Sequence, residues 1–569
     1  MDNLQIATLF EEIGQLLEID GANHFRTLAY KNAAENIRGM GRELSSLSDQ
    51  DLSNIPGIGA DLHAKIVEMI STGQCDFHQK LVKKFGRGVL DMLQIRGVGP
   101  KKVALFYKEL GVDNLEKLKA AALAKQLSKL PRMGEKSENE ILVAIEERLK
   151  YSRRMLLSEA LPLAEQILNY LKPLKTISQL SYAGSLRRRK ETVGDLDILV
   201  SPKDIKDAPD IIAFFQKFPL IKNIIANGPT KSSVIMENGV QADLRVVEEK
   251  SFGAALHYFT GSKDHNVEIR ALAQKANKKI NEYGLWQIEK DQSETFIIGD
   301  TEENLYKAVG LDFVPPTLRE NRGEFEASIN NQLPKLIEIT DLHGDLNINS
   351  NYGDGQLSIA EITKLHSNFQ YIAICDTLSS SEVPTKFTTE KLTKQILEIS
   401  QNHSSVKIFQ GLKLSINKDG SLELPEQDLL NQIDFLTIKI NHDFNLPEPK
   451  QTERVLTALA SHPKVKLLSV PTNRILNERE VLALNIEKII EYCAKHHIIV
   501  EINSQPKRLD LPDNQIKLAI QHGAILSINS DLIQSIDQDN LKYGVWTAQR
   551  GWAQKSNIFN AQPLSKIKF

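Results

Sequence analysis

Three cysteines in 569 residues, Cys75, Cys375 and Cys493, stand far apart and in no metal or disulfide spacing, which excludes a disulfide-stapled secreted scaffold and fits a reducing cytoplasm. No run of about 18 apolar residues occurs, so no membrane span is expected. The opening MDNLQIATLFEEIGQLLEID lacks the basic-then-apolar order of a signal peptide. There is no low-complexity tract. Acid and base nearly balance, with a net charge of −3 that hides an asymmetry. Residues 51–300 carry 38 Lys+Arg against 32 Asp+Glu, whereas both flanks are acidic. A mildly basic middle is compatible with a polyanion partner and equally with an ordinary solvated face.

A chain this long exceeds one core and implies three or four domains. Helical periodicity fills most of residues 5–170. From about 178 it yields to short apolar runs, among them ISQLSYAG, DLDILVS and SSVIMENGVQADLRVV, whose ENG predicts a tight hairpin. VPPTLRENRGEFEAS (314–328) reads as a connection. Beyond 335, strand-like runs such as YIAICD, DFLTIKI and IIVEIN alternate with helices, the pattern of a parallel α/β barrel or sheet.

Two stretches near the front, LSNIPGIGADLHAKI (52–66) and LQIRGVGPKKVALF (93–106), share an apolar residue, a G-x-G turn and a helix. A third, LSKLPRMGEKSENEI (127–141), keeps only the second glycine. Gly57, Gly59, Gly97 and Gly99 permit unusual φ, and the helices behind them point free N–H groups outward. Such ends hold phosphates without reading bases. One such turn alone is a plain helix–helix connection; two, about forty residues apart, favour DNA, and they resemble helix-hairpin-helix elements, which often bind a monovalent cation.

The strongest signal is GSLRRRKETVGDLDILV (184–200). Asp195 and Asp197, two apart in a strand, point to one face of the sheet. Asp243 in VQADLRVV sits on a second strand-like run. Three hard oxygen donors on adjoining strands can hold two Mg²⁺ ions for phosphoryl transfer. The Gly184–Ser185 turn and the arginines after it offer donors to a triphosphate. A solvated strand edge is the plainer alternative for D-x-D.

Together with GPTKSSV (228–234) and YFTGSKDHNVEIR (258–270), these motifs resemble family X DNA polymerases over roughly residues 1–320. The resemblance implies that Asp195, Asp197 and Asp243 bind Mg²⁺ or Mn²⁺, with Asp243 at or beside the base for the primer 3′ hydroxyl. It places Ser185, Arg188 and Gly194 on the triphosphate, Tyr258, Phe259 and Gly261 by the sugar, and Lys263 near the incoming base. Asn266 and Arg270 would reach the minor groove, Arg245 would exchange ion-pair partners, and an arginine at 153 or 154 would add a phosphate contact. LAYKNAAENI (28–37) and PGIGADLHAKI resemble the small lyase domain, with Lys65 at the Schiff-base position and Arg26 and Tyr30 as 5′-phosphate contacts. Asp61 stands where the family has a phosphate-binding lysine.

Residues 337–569 resemble the PHP domain, a distorted α/β barrel that hydrolyses phosphoesters with a metal cluster. The frame persists, but the ligand positions read Asn347, Asn349, Thr377, Lys413, Asn441, Val470 and Ile533; only Asp354 and Asp531 remain. Valine and isoleucine cannot donate, an amide is a weak donor to zinc or manganese, and an ammonium opposes a bridging carboxylate. No metal cluster is expected there; His343 and His442 lie nearby as candidate replacements, but each is flanked by turn residues and reads as a solvated loop histidine.

The expected architecture is therefore multidomain α+β and α/β: helix-hairpin-helix domains at 1–80 and 81–150, a nucleotidyltransferase palm and thumb at 151–318, a linker at 319–336 and a PHP-type barrel at 337–569. The expected activity is dNTP addition to primer 3′ ends in gapped DNA during base excision repair, by a monomer. The barrel is read as silent, kept for template grip or repair-protein partners. Open alternatives are residual 3′→5′ exonuclease or AP-endonuclease activity of the barrel, and nucleotidyl transfer to another acceptor.

Overall fold

The computed structural model describes residues 3–38, 44, 47, 49, 52, 55, 57–93, 95, 97–152, 154–291 and 293–569. It divides into two compact units, Met1–Ser152 and Arg153–Phe569. Arg153, one of the two arginines named for a phosphate contact, lies outside the described residues.

The first unit is helical, from Asn3–Ile19 and His24–Arg38 to Glu135–Ser152. One apolar core runs through it, from Ile6 and Phe10 to Ile141 and Ile145. The hairpin turns follow from their glycines: Gly57 and Gly97 adopt φ of +81° and +84° ahead of the helices Ala60–Thr72 and Pro100–Leu110. Between the glycines of each pair, Ile58 and Val98 drop into the core. In the third copy Arg132 takes the first glycine's place and still adopts φ +64°, followed by Met133, which packs on the same core.

In the second unit the strands are β1 (Met155–Leu156), β2 (Ile177–Tyr182), β3 (Thr192–Val193), β4 (Asp195–Pro202), β5 (Ile221–Asn227), β6 (Lys231–Met236) and β7 (Gln241–Val246). β1 pairs with β3, and the rest form a mixed sheet in the order β2-β4-β7-β6-β5. Only β4 and β7 run parallel; the others are antiparallel, and the ENG turn closes the β6–β7 hairpin as expected. Helices Leu157–Leu171 and Ala208–Phe215 bury apolar faces against it. Next come helices Phe252–Thr260 and Lys263–Lys275 and a small antiparallel sheet of β8 (Lys278–Asn281), β9 (Gly284–Ile288) and β10 (Glu294–Ile298).

Seven parallel strands complete the unit: β11 (Gly344–Ile348), β12 (Tyr371–Ile374), β13 (Lys407–Ser415), β14 (Phe435–Lys439), β15 (Val465–Leu468), β16 (Ile499–Asn503) and β17 (Leu526–Asn529). They neighbour one another in chain order, and a bridge from Ile348 to Leu532 draws the two edges together into a nearly closed barrel. This is the expected PHP-type architecture. Its inner apolar layer, Leu346, Cys375, Phe435 and Leu467 among others, is backed by Phe559 and Phe569.

Residues 319–336, expected as a linker, hold the short helix Glu324–Ile329 and two buried charges, Arg319 and Glu324. Arg319 is fully buried on Glu302 (2.5 Å), and Glu324 pairs with His265 (2.8 Å). Buried charges survive only when paired this way, which anchors the stretch. Among the described residues no helix is long and apolar enough to cross a membrane.

Candidate active site

The period-two alternation of β4 puts Asp195 and Asp197 on one face, and the parallel register sets Asp197 directly beside Asp243 on β7. Burial, reinforced by Asp195 and Asp243, pushes the Asp197 carboxyl up to about 7, only partly opposed by Arg245 and Arg188. Among the described residues the three carboxylates do not form a ligand set packed within 4.8 Å. Asp243 is turned to neighbours instead, accepting from the Gln241 amide (2.8 Å) and pairing with Lys231 Nζ (3.2 Å). Surplus negative charge, hard oxygens and a partly buried cradle fit a divalent cation.

Beside this cradle the Gly184–Arg187 turn is forced to glycine. Gly184 has φ +63°, and a Cβ there would fall 2.2 Å from Asp197 Oδ2. Its neighbour Ser185 is half-buried. Arg188 does not extend freely: its Nε donates to Glu320 Oε1 (3.1 Å) and its Nη1 to the Thr260 carbonyl. Gly194, at the foot of β4, leaves room for Arg154, whose Nη1 would lie 2.9 Å from an added Cβ. Arg154 is fastened to Thr192 through Oγ1 (2.9 Å) and the carbonyl (2.8 Å).

Tyr258 and Phe259 end the helix Phe252–Thr260 as an edge-to-face pair, and Arg245 lies over the Phe259 ring at 4.4 Å. Gly261 follows at φ +63°, near the Arg188 guanidinium. Lys263 opens the next helix in solvent. Asn266 donates to the Tyr258 carbonyl (2.7 Å), leaving its buried Oδ1 without a hydrogen bond, and Arg270 Nε donates to the Asn266 carbonyl (3.1 Å).

Comparison with known proteins gives the family. A family model described as DNA polymerase beta thumb matches residues 255–320. One described as Helix-hairpin-helix domain matches 1–75, and a SAM-like Helix-hairpin-helix tandem matches 89–147. The chain is 34% identical over 578 residues to "DNA polymerase/3'-5' exonuclease PolX" of Bacillus subtilis, covering 100% of this chain and 99% of that one. The chain belongs to family X of the DNA polymerases. DNA polymerase lambda of Rattus norvegicus is 24% identical over 56% of each chain. "Repair DNA polymerase X" of African swine fever virus is 29% identical over 27% of this chain and 95% of its own. The enzyme is thus a DNA-directed DNA polymerase that acts on DNA, in a family that generally depends on divalent metal.

In the polymerase's first unit, Lys65 Nζ is tied to Asp61 Oδ1 at 2.5 Å and lies over the Phe77 ring at 5.0 Å. Tyr30 donates to the other Asp61 oxygen (3.0 Å), and Arg26 lies over the same ring at 5.2 Å. The Lys65 hydrogen bond chiefly holds the Asp61 carboxyl below the usual carboxylate range. The expected lyase residues do gather, but around a carboxylate that engages the amine.

At the barrel mouth Lys413 is almost wholly buried, with Nζ 3.2 Å from Asp531 Oδ1 and 3.1 Å from Asn349 Oδ1. Asn349 Nδ2 donates to Asp531 Oδ1 (3.1 Å), and Asn503 donates to Oδ2 (3.0 Å). Asn347 instead donates to buried Glu501 (2.6 Å), which also accepts from Ser469 and Asn529. Asn441 donates to Ser415 (2.7 Å), Thr377 bridges to Lys413 along the strands, and Val470 and Ile533 offer no donor side chain. Asp354 is exposed. His343 precedes β11, at the opposite end of that strand from Asn349, and His442 pairs with Glu382 (3.2 Å) and Asp443 (2.7 Å).

Sequence reasoning passed over Lys231, Thr260, Glu302, Glu320 and Arg550. Lys231 was legible in principle, since it lies two residues from Ser233, the β6 partner of Asp243. The others are charged or polar residues whose partners are far away in the chain, so no local pattern marks them.

Proposed function

We propose that this polymerase fills short gaps in duplex DNA during base excision repair, using two divalent cations, Mg²⁺ or Mn²⁺, held by Asp195, Asp197 and Asp243. The observation that carries this is the side-by-side register of Asp197 and Asp243, with Asp195 on the same face. Bound cations would neutralise charge on the transferring phosphoryl group and lower the pKa of the primer hydroxyl. Asp243, released from Lys231, takes or relays the 3′ hydroxyl proton. Ser185 and the Gly184 backbone hold the triphosphate with Arg188; Arg154 steadies the Gly194 turn. Tyr258, Phe259 and Gly261 crowd the sugar edge and disfavour a 2′ hydroxyl. Lys263 lies near the incoming base, and Asn266 and Arg270 face the minor groove. The glycine turns at 57–59 and 97–99 hold backbone phosphates, with a monovalent cation. The domain limits we propose are those expected from the sequence, except that residues 319–336 belong to the folded unit and are not a linker. Incorporation on a gapped duplex should vanish in Asp243→Ala while the protein stays folded; retained incorporation would refute the assignment.

The barrel we read as having lost phosphoester hydrolysis. The ammonium of Lys413 sits against Asp531, one of the two carboxylates left at the ligand positions. The Bacillus subtilis relative is named for an exonuclease as well, so retained 3′→5′ trimming is the competing reading. Trimming that survives Asp195→Ala but disappears in Asp531→Ala would establish it. For Lys65, paired with Asp61, lyase chemistry requires the amine to leave that carboxylate first.

A further inference from the structure

The loop Arg188–Thr192, between the Gly184 turn and the catalytic strand β4, is held on several sides by the barrel. Arg550 Nη1 donates to the Arg188 carbonyl (2.8 Å), and the Arg189 guanidinium lies over the Trp546 ring at 4.0 Å. Arg474 pairs with Glu191 (3.2 Å), and Asn477 donates to the Arg154 carbonyl (2.8 Å). Every barrel residue here comes from the loop after β15 or from the helix Leu541–Arg550.

One contact has an electrostatic consequence. Glu320 Oε1 accepts from Arg188 Nε at 3.1 Å and also from Arg550 Nη1 at 3.0 Å. Arg550 is buried to 2% exposure and is fixed from its other side by Asp513 (2.5 Å). A carboxylate shared by two guanidinium groups neutralises neither fully. Without Arg550, Glu320 would be left to Arg188 (3.1 Å) and the more distant Lys190 Nζ (4.0 Å), and the Arg188 charge would be more nearly offset.

We propose that Arg550 makes the barrel a positioning element of the nucleotide site: by sharing Glu320 it keeps Arg188 in place and its charge available to the dNTP triphosphate. The proposal rests on the reading of Arg188 as a triphosphate contact. It gives a barrel with a degraded ligand set a reason to persist, since the polymerase site leans on the loop after β15 and on the helix Leu541–Arg550. Arg550 touches no substrate, so its effect passes through Glu320 and Arg188.

The test is single-turnover incorporation on a one-nucleotide gap, with full-length protein, over a range of dNTP concentrations. Arg550→Met should raise the half-saturating dNTP concentration about tenfold, the scale of losing a charge-assisted hydrogen bond, with gapped-DNA affinity within about twofold of wild type. Arg550→Lys should recover most of the loss, and Arg550→Met with Glu320→Gln should recover it by removing the competing charge. Wild-type dNTP affinity in Arg550→Met, a parallel loss of DNA affinity, or no recovery in the double variant would overturn the proposal. If Arg550→Met does not fold, Glu320→Gln alone decides: the proposal expects a lower half-saturating concentration, and an unchanged or higher one refutes it. Arg188→Met separates the two readings. If it leaves dNTP affinity intact, the triphosphate assignment fails and the proposal with it; if it weakens affinity while Arg550→Met does not, only the proposal fails.

Discussion

Lys413 and Asp531 form an ion pair of 3.2 Å inside the barrel, with the lysine 1% exposed. Burial alone would push the Lys413 ammonium down, yet Asp531 and its acidic neighbours hold it above the ordinary lysine value. Asp531 is raised by burial and more strongly lowered by Lys413 and Lys439. The pair does internally what a bound cation does for a carboxylate. Removing Asp531 strips the buried ammonium of its carboxylate, whereas removing Lys413 leaves Asp531, 21% exposed, to Lys439 and the amide donors of Asn349 and Asn503.

Lys413→Met should therefore destabilise the protein by about 2–3 kcal/mol in denaturant unfolding, less than a fully buried pair loses. The sign with pH follows from both shifts. The raised Lys413 contributes stability up to its unfolded value and loses it as pH rises through the folded one. The depressed Asp531 contributes above its unfolded value and loses it as pH falls toward the folded one. The pair's contribution thus spans roughly pH 4 to 10, and acid or alkali should erase the difference between wild type and Lys413→Met.

Asp197 behaves oppositely. Its carboxyl is pushed up to about 7, so the metal-free fold binds a proton that the unfolded chain has released. Stability from this group is complete below the unfolded value of about 4 and declines as pH rises to 7. Divalent cations compete with that proton. At limiting Mg²⁺, incorporation should climb through pH 6 to 7, and added Mg²⁺ should move the midpoint to lower pH. A midpoint indifferent to metal concentration would refute this link.

How far this was readable beforehand depended on the range of the interactions. The Asp195–Asp197 spacing carries its own geometry, since a strand alternates every two residues, and the glycine turns carry theirs through φ. The lateral match of Asp197 with Asp243 is a parallel pairing across some forty residues, which fixes nothing locally. Buried charges were the least legible. Arg319, Glu302 and Arg550 look like surface residues in sequence, and only partners 17 to 230 residues away make their burial tolerable. His343 was misplaced for a related reason: its closeness in sequence to Asn347 hides the length of the strand between two ends of a barrel.

Gly184→Ala tests the nucleotide turn. The added methyl meets Asp197 Oδ2 at 2.2 Å and is imposed at φ +63°. Either Asp197 swings away or the turn opens, and both misplace reacting groups by about an ångström. Incorporation on a gapped primer should fall about 100-fold or more, a loss well beyond the about 1–2 kcal/mol of stability that the left-handed backbone costs alanine. Activity within a few-fold of wild type would show that Asp197 need not abut this turn.

Arg132→Gly should do the reverse, stabilising the protein by restoring the residue type its backbone calls for. Arg132 holds φ +64° at the position equivalent to Gly57 and Gly97, a conformation that costs a side-chain-bearing residue about 1–2 kcal/mol. Glycine pays part of that back through its freedom in the unfolded chain, so the expected net gain in the first unit is about 1 kcal/mol. Denaturant unfolding followed on that unit's helical signal checks it. A loss instead of a gain would mean that the arginine side chain supplies a contact worth more than the strain, and the third turn would then be a site of its own and not a worn copy of the first two.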